Sequence, residues 1–131
     1  MSRGKRIILI IFVAIVIIAV GIGVMINNIS GKLDTYKDYD FSALDLTRVE
    51  DGIYTGSEDA GIIKATVEVT IKDHVITEVK ILSHDSGQGK PAEVIVEDIV
   101  ANNNLEVDAI SGATYSSQVI KVAVYNALTK R

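Results

Sequence analysis

The chain has 131 residues, no cysteine, no tryptophan and a formal net charge of −4. That length holds one small domain, and the lack of cysteine excludes disulfides, thiol redox chemistry and a cysteine-linked lipid anchor. From Asn27 on, the chain keeps all 17 acidic residues and only 10 of the 13 basic ones, a net −7 that argues against nucleic acid or an anionic membrane surface as a partner.

Residues 1–6 form a short basic N-terminus. Residues 7–26, IILIIFVAIVIIAVGIGVMI, carry no charged and no strongly polar side chain. Twenty such residues at a helical rise of about 1.5 Å match the hydrocarbon core of a bilayer. Arg3, Lys5 and Arg6 precede the run, and uncharged Asn27-Asn28-Ile29-Ser30 follows it. This asymmetry orients a single-pass anchor in the cell membrane, with the C-terminal part on the extracytoplasmic side. A cleaved signal peptide is the rival reading. Its apolar region would be about 7–15 residues long, shorter than this run, although Ala19-Val20-Gly21 offers a cut. Residues 27–48 read as a polar spacer with too few apolar side chains to pack. Within it a short helical or extended piece starts at Phe41 and runs on to Val49.

The globular domain is predicted over residues 49–131. Asp51-Gly52 and Gly56 bracket a short strand, Ile53 to Thr55. From Ile62 to Lys72, Ile63, Ala65, Val67, Val69 and Ile71 alternate with polar residues, the pattern of a half-buried strand. Asp73-His74 turns the chain. Val75, Val79 and Ile81 then point inward along a returning strand to Ser83, completing a hairpin. The loop SHDSGQGKP leads to a helix starting near Pro91, with Ala92, Ile95, Val96, Ile99 and Val100 on its apolar face. Asn102-Asn103-Asn104 ends that helix. Leu105 to Ile110 reads as a short extended segment. A last helix runs from about Thr114 to Leu128 with Val119, Val122, Ala123 and Ala127 inward, closing on Lys130 and Arg131. The fold class is α+β: a small antiparallel sheet with two packed helices, preceded by one N-terminal transmembrane helix.

The chemistry concentrates in Asp108 to Ser117, DAISGATYSS. Gly112 and Ala113 leave the backbone open to close approach by a bulky group. Thr114 falls at or near the start of the last helix. The first N–H groups of that helix, and the positive end of its dipole, would face whatever lies beyond the threonine hydroxyl. Ser116 and Ser117 add hydroxyls one turn in. The stretch could therefore hold a phosphate, or a phosphoester made on Thr114. By spacing alone, Ser111 or Thr114 acting only as a helix cap explains the same residues.

Asp108-Ala109-Ile110-Ser111-Gly112-Ala113-Thr114-Tyr115-Ser116 resembles the flavinylation motif of the FMN-binding domain family. Asp51-Gly52-Ile53-Tyr54-Thr55-Gly56 resembles the family's opening DGxYxG, and Asn126-Ala127-Leu128 its closing helix. The resemblance covers residues 49 to 131. The family includes the flavin-bearing C and G subunits of the sodium-translocating NADH:quinone reductase and Rnf complexes. It implies FMN joined through its phosphate to Thr114. It also implies a separate Mg²⁺-dependent flavin transferase of the ApbE type, which takes the FMN unit from FAD and reads Asp108, Ser111, Gly112 and Ala113.

Two positions depart from the family. His74-Val75 replaces Gly-Lys in the hairpin turn, a change of turn rather than of fold. Asp85-Ser86-Gly87-Gln88-Gly89 replaces a Glu-Thr-Pro-Gly segment. His84 opens this loop. A histidine in such a place is ordinarily a surface or hydrogen-bonding residue; the functional alternative sets His84 or the glycine loop against the isoalloxazine ring. Tyr54 and Tyr115 are candidates for stacking on that ring or for filling the edge of the core. No array of metal ligands and no catalytic group with its own substrate is visible. The expected role is electron carriage between a membrane or extracellular donor and acceptor. The rivals are a reductase of quinone or of an extracellular acceptor, and an unflavinylated sensory or scaffold domain.

Overall fold

A computed structural model of the chain describes residues 1–85 and 89–130. Residues 86–88 of the glycine loop, and Arg131, lie outside the described residues. The chain divides into two compact units, Met1–Lys32 and Leu33–Arg131.

The first unit lies within helix α1 (Arg3–Lys37). Residues 7–26 are exposed throughout. The helix is long and apolar enough to cross a membrane, with a mean hydropathy of 3.5 over its most apolar stretch. α1 outlasts the apolar run by eleven residues, through the stretch expected as a spacer. From Leu33 on, that stretch belongs to the second unit. Leu33, Phe41 and Val49 are buried there. Counting aliphatic residues missed the area that its rings supply: Tyr39 and Phe41 pack at a tilt with centroids 4.9 Å apart, and both meet Tyr125 edge-on at 5.7 and 6.0 Å.

The second unit is α+β, as the pattern implies. Strands β1 (Gly52–Asp59), β2 (Lys64–Lys72) and β3 (Val75–Asp85) form one antiparallel sheet in the order β1-β2-β3. Ala65, Val67, Val69 and Ile71 bury the inner face of β2, as the alternation predicts. Asp73 and His74 take left-handed backbone angles, φ 52° and 63°, the geometry of a tight hairpin turn. His74 does more than replace a glycine. Its Nδ1 lies 3.1 Å from the carbonyl oxygens of both Leu46 and Val49, clamping the incoming segment onto the turn.

β3 departs from its predicted phase. Ile76, not Val75, is buried. The register passes from Ile71↔Ile76 to Thr70↔Glu78, so Thr77 is an extra residue, and Leu82 is a second one between Val67↔Ile81 and Thr66↔Ser83. Each bulge flips the faces that follow. The second turns His84 inward, opposite Ala65.

After a 3₁₀ turn (Lys90–Val94), helix α2 (Ile95–Asn102) buries Ile95 and Ile99. It ends on Asn103 at φ 49°, whose side chain accepts from the Ile76 amide at 2.8 Å. The segment after it forms no strand among the described residues, although Leu105 is fully buried. Helix α3 (Thr114–Thr129) is buried nearly all round. Sequence periodicity showed only the face toward the sheet. Tyr36 to Phe41 cover much of another face. α3 crosses β1 at Gly56, where backbone meets backbone and no side chain fits.

Candidate functional site

Residues 107–113 have no strand partner, yet they are tied to α3 (Thr114–Thr129) along one of its faces. The Ser117 hydroxyl donates to the Ala113 carbonyl at 2.7 Å and accepts from the Ile110 amide at 2.9 Å. One turn on, Lys121 Nζ donates to the Val107 carbonyl at 2.7 Å. The Ala113 amide closes a turn onto the Ile110 carbonyl at 2.9 Å. Gly112 takes φ 78°. A Cβ there would meet nothing within 4 Å, so backbone angle rather than space calls for glycine.

This loop delivers Thr114 as the first residue of α3. The cap position itself is Ala113, which offers no side-chain oxygen. The first helical bond runs from the Ser117 amide to the Ala113 carbonyl at 3.0 Å. The amides of Thr114, Tyr115 and Ser116 therefore precede the first intrahelical donor and have no partner within the helix. Thr114 is exposed. It opens onto a cleft of about 170 Å³ lined by Ile63, Gly89, Gly112, Ala113, Thr114, Tyr115 and Ser116. Free amides, a hydroxyl and the positive end of a 16-residue helix suit a phosphate group. The cleft is smaller than the roughly 300–1,000 Å³ of pockets that enclose drug-sized ligands. Its volume among the described residues suits the phosphate end of a nucleotide.

Not every residue of the motif faces this cleft. Gly112, Ala113, Thr114, Tyr115 and Ser116 do. Ser117, expected among the phosphate-facing hydroxyls, is fully buried, and its oxygen is taken up by the loop. Its position four residues after Ala113 makes it a loop fastener instead. Ser111 is exposed and outside the lining. Asp108 lies in a different recess, with Asp98, Asn102, Glu106 and Val107. Among the described residues no group of three or more histidines or acids could hold a metal ion.

His84 is not among the lining residues of the cleft. Its side chain is 1% exposed, with Nδ1 3.7 Å from Glu93 Oε1. Neither ring nitrogen has a hydrogen-bond partner among the described residues. Tyr54 donates its hydroxyl to the Glu50 carbonyl at 2.7 Å. Tyr115 donates to Asp34 at 2.8 Å. Lys37 pairs with the same carboxylate at 3.0 Å and sits 5.2 Å over the Tyr115 ring. These contacts hold the Asp34 carboxyl below the usual carboxylate range, the Tyr115 hydrogen bond contributing most. Gln118 donates to the Tyr36 carbonyl at 2.7 Å. The residue beside Thr114 is thus braced by the last turn of α1, beyond the apolar run.

Lys121 went unnoticed in the sequence because it breaks no helical pattern. It is 5% exposed, with Nζ 5.0 Å over the Phe41 ring. Burial pushes its ammonium pKa down, opposed by the charges of Asp108 and Glu106.

Against known families, a family model described as FMN-binding domain matches residues 60–129, more than half of the chain. No curated protein matches it.

Proposed function

This chain belongs to the FMN-binding domain family and is a flavin-binding protein, and from that premise we propose that it carries FMN as a phosphoester on Thr114 and works as a membrane-anchored electron carrier. The observation that carries the reading is Thr114 itself. It is an exposed hydroxyl on the first residue of an otherwise buried helix, beside amides with no helical partner.

The attachment step balances as a transfer. The Thr114 oxygen forms a bond to the phosphorus of the FMN half of FAD, the bond to AMP breaks, and the hydroxyl proton leaves to solvent. A Mg²⁺-dependent transferase of the ApbE type would catalyse it, as the family resemblance implies. Gly112 and Ala113 would leave room for the phosphate, and the Tyr115 and Ser116 amides and the Ser116 hydroxyl would be the groups to hold it. Asp108 and Ser111 are exposed outside the cleft, and the family resemblance implies that the transferase reads them. His84 lies buried beside Glu93 and is not among the lining residues.

Once bound, the flavin supplies the redox chemistry. Electron carriage is the role that the family resemblance and the membrane-anchor reading support. Residues 7–26 are the membrane anchor, and the basic residues before them keep the N-terminus cytoplasmic, so the domain works on the extracytoplasmic side. A covalent bond retains the cofactor there. The donor and acceptor are redox partners in or beyond the membrane.

The test is a denaturing gel of the full-length chain viewed under ultraviolet light, with and without co-expressed flavin transferase. A fluorescent band that needs both the transferase and Thr114, and vanishes in Thr114→Ala, is the expected result. No band from folded protein, beside a control that the same transferase labels, overturns the reading.

A further inference from the structure

A lysine in the middle of a buried helix needs a reason. The flanking residues Ile120 and Val122 are 0% and 2% exposed, and Lys121 itself only 5%. Taking an ammonium out of water is costly, and an apolar side chain of similar volume often serves stability as well or better. Stability therefore does not explain Lys121. Its contacts do.

Its one hydrogen bond is to the Val107 carbonyl at 2.7 Å. Val107 immediately precedes Asp108, where the motif ending at Thr114 begins. Ser117 fastens the middle and the end of the same loop, through Ile110 and Ala113. Ala113, Ser117 and Lys121 follow at intervals of four, so these attachments stack along one side of α3. Without the Lys121 bond, the loop would be fixed at Ile110 and Ala113 while its start at Val107 was released. Phe41 lies 5.0 Å from the ammonium and favours the charge on its ring face.

We propose that Lys121 is a positioning residue for flavin attachment: by holding the Val107 carbonyl it sets the register of the Asp108–Thr114 loop presented to the flavin transferase. This rests on the reading of Thr114 as the acceptor. Lys121 touches neither the cleft nor the hydroxyl. It acts by keeping Asp108 and Thr114 in one fixed relation. A released loop would occupy the competent arrangement only part of the time, and the transferase would see its substrate diluted by that fraction.

The experiment compares Lys121→Met and Lys121→Arg with the parent, as full-length chains in detergent. Initial rates of flavin incorporation are measured with purified transferase, FAD and Mg²⁺ over a range of chain concentration, beside Tm. Hydrogen exchange of the residue 107–113 amides is followed in the unmodified proteins. Methionine should leave Tm unchanged or raised, speed exchange in the loop, and raise KM for incorporation about tenfold, the scale of one lost charged hydrogen bond, with kcat nearly kept. Arginine, which keeps a charged donor, should recover most of the loss. Parental exchange and a parental KM in the methionine variant overturn the proposal. So does a fall in incorporation that only follows a fall in Tm. A parent chain that takes up no flavin defeats the Thr114 reading instead, and loop exchange then still decides whether Lys121 fixes the loop.

Discussion

Gly56→Ala adds a single methyl group where α3 crosses β1. That Cβ would lie 2.3 Å from the Ala123 carbonyl oxygen, 2.4 Å from the Ala127 amide nitrogen and 2.7 Å from the Ala127 Cα. All three are backbone atoms, so no rotamer change relieves the clash. Ordinary contact begins at 3.4 Å, and helix and strand must part by roughly 1 Å in an interior packed as densely as a crystal. Overpacking a core costs about 1–3 kcal/mol, and a backbone clash belongs at the upper end. In a domain of about 100 residues each kcal/mol lowers Tm by about 4–8 °C, so the expected fall is about 12–24 °C. The assay is thermal unfolding of the full-length chain in detergent, followed by near-ultraviolet dichroism of its tyrosines. Gly52→Ala is the control, because its added Cβ would meet only the Tyr54 side chain, at 3.5 Å or more. A Gly56→Ala variant melting within about 3 °C of both control and parent would refute the close-packed crossing, since even 1 kcal/mol of overpacking exceeds that shift.

Three further outcomes follow from the same geometry. Ser117→Ala strips the half-buried Ile110 amide of its acceptor and should cost about 1 kcal/mol in denaturant unfolding, while leaving the Thr114 hydroxyl in place for slower labelling. Tyr36 donates to Glu58 at 2.7 Å, and burial first, then that bond, pushes its hydroxyl pKa up to about 12 from an ordinary 10.0. A raised folded pKa means that its stabilising contribution is complete below pH 10.0 and drains away as pH climbs toward about 12. Tyr36→Phe should flatten that part of the Tm–pH curve, and an unchanged curve would deny the Glu58 bond. His84→Leu should keep or raise Tm, because it removes two buried ring nitrogens that have no hydrogen-bond partner among the described residues; a marked fall would refute this.

The hairpin, the final helix and the attachment motif were legible because each depends on local pattern. Alternation marked β2, and the spacing of apolar residues marked α2 and α3. Ser111-Gly112-Ala113-Thr114 announced itself through residue identity. The phase of β3 was not legible, because the bulges at Thr77 and Leu82 are set by pairing with β2 and leave no mark in one strand's own sequence. The packing of residues 33–49 was missed for a related reason. Leu33, Tyr36, Tyr39 and Phe41 are sparse along the chain, and their burial depends on what the far face of α3 offers. Ser117 and Lys121 illustrate the limit at the site. A serine and a lysine in a helix look solvated until the loop they fasten is in place.

Thr114 stands between two opposite demands. To be modified it must be exposed and approachable, which its place at the cleft provides. To present a fixed geometry it must belong to something rigid, which exposed loops seldom do. The fold meets both within a single helical turn. Thr114 is exposed, while Ser116 and Ser117, two and three residues on, are buried. The rigidity is borrowed from α3, whose later residues are enclosed by the sheet and by the segment ending at Phe41. It reaches the loop through the Ser117 and Lys121 bonds, and it reaches Tyr115 through Asp34 and Lys37. On the function proposed for Thr114, residues 33–41 are therefore part of what holds its site. A domain cut at residue 49 would keep the whole motif and lose the brace on the residue beside Thr114.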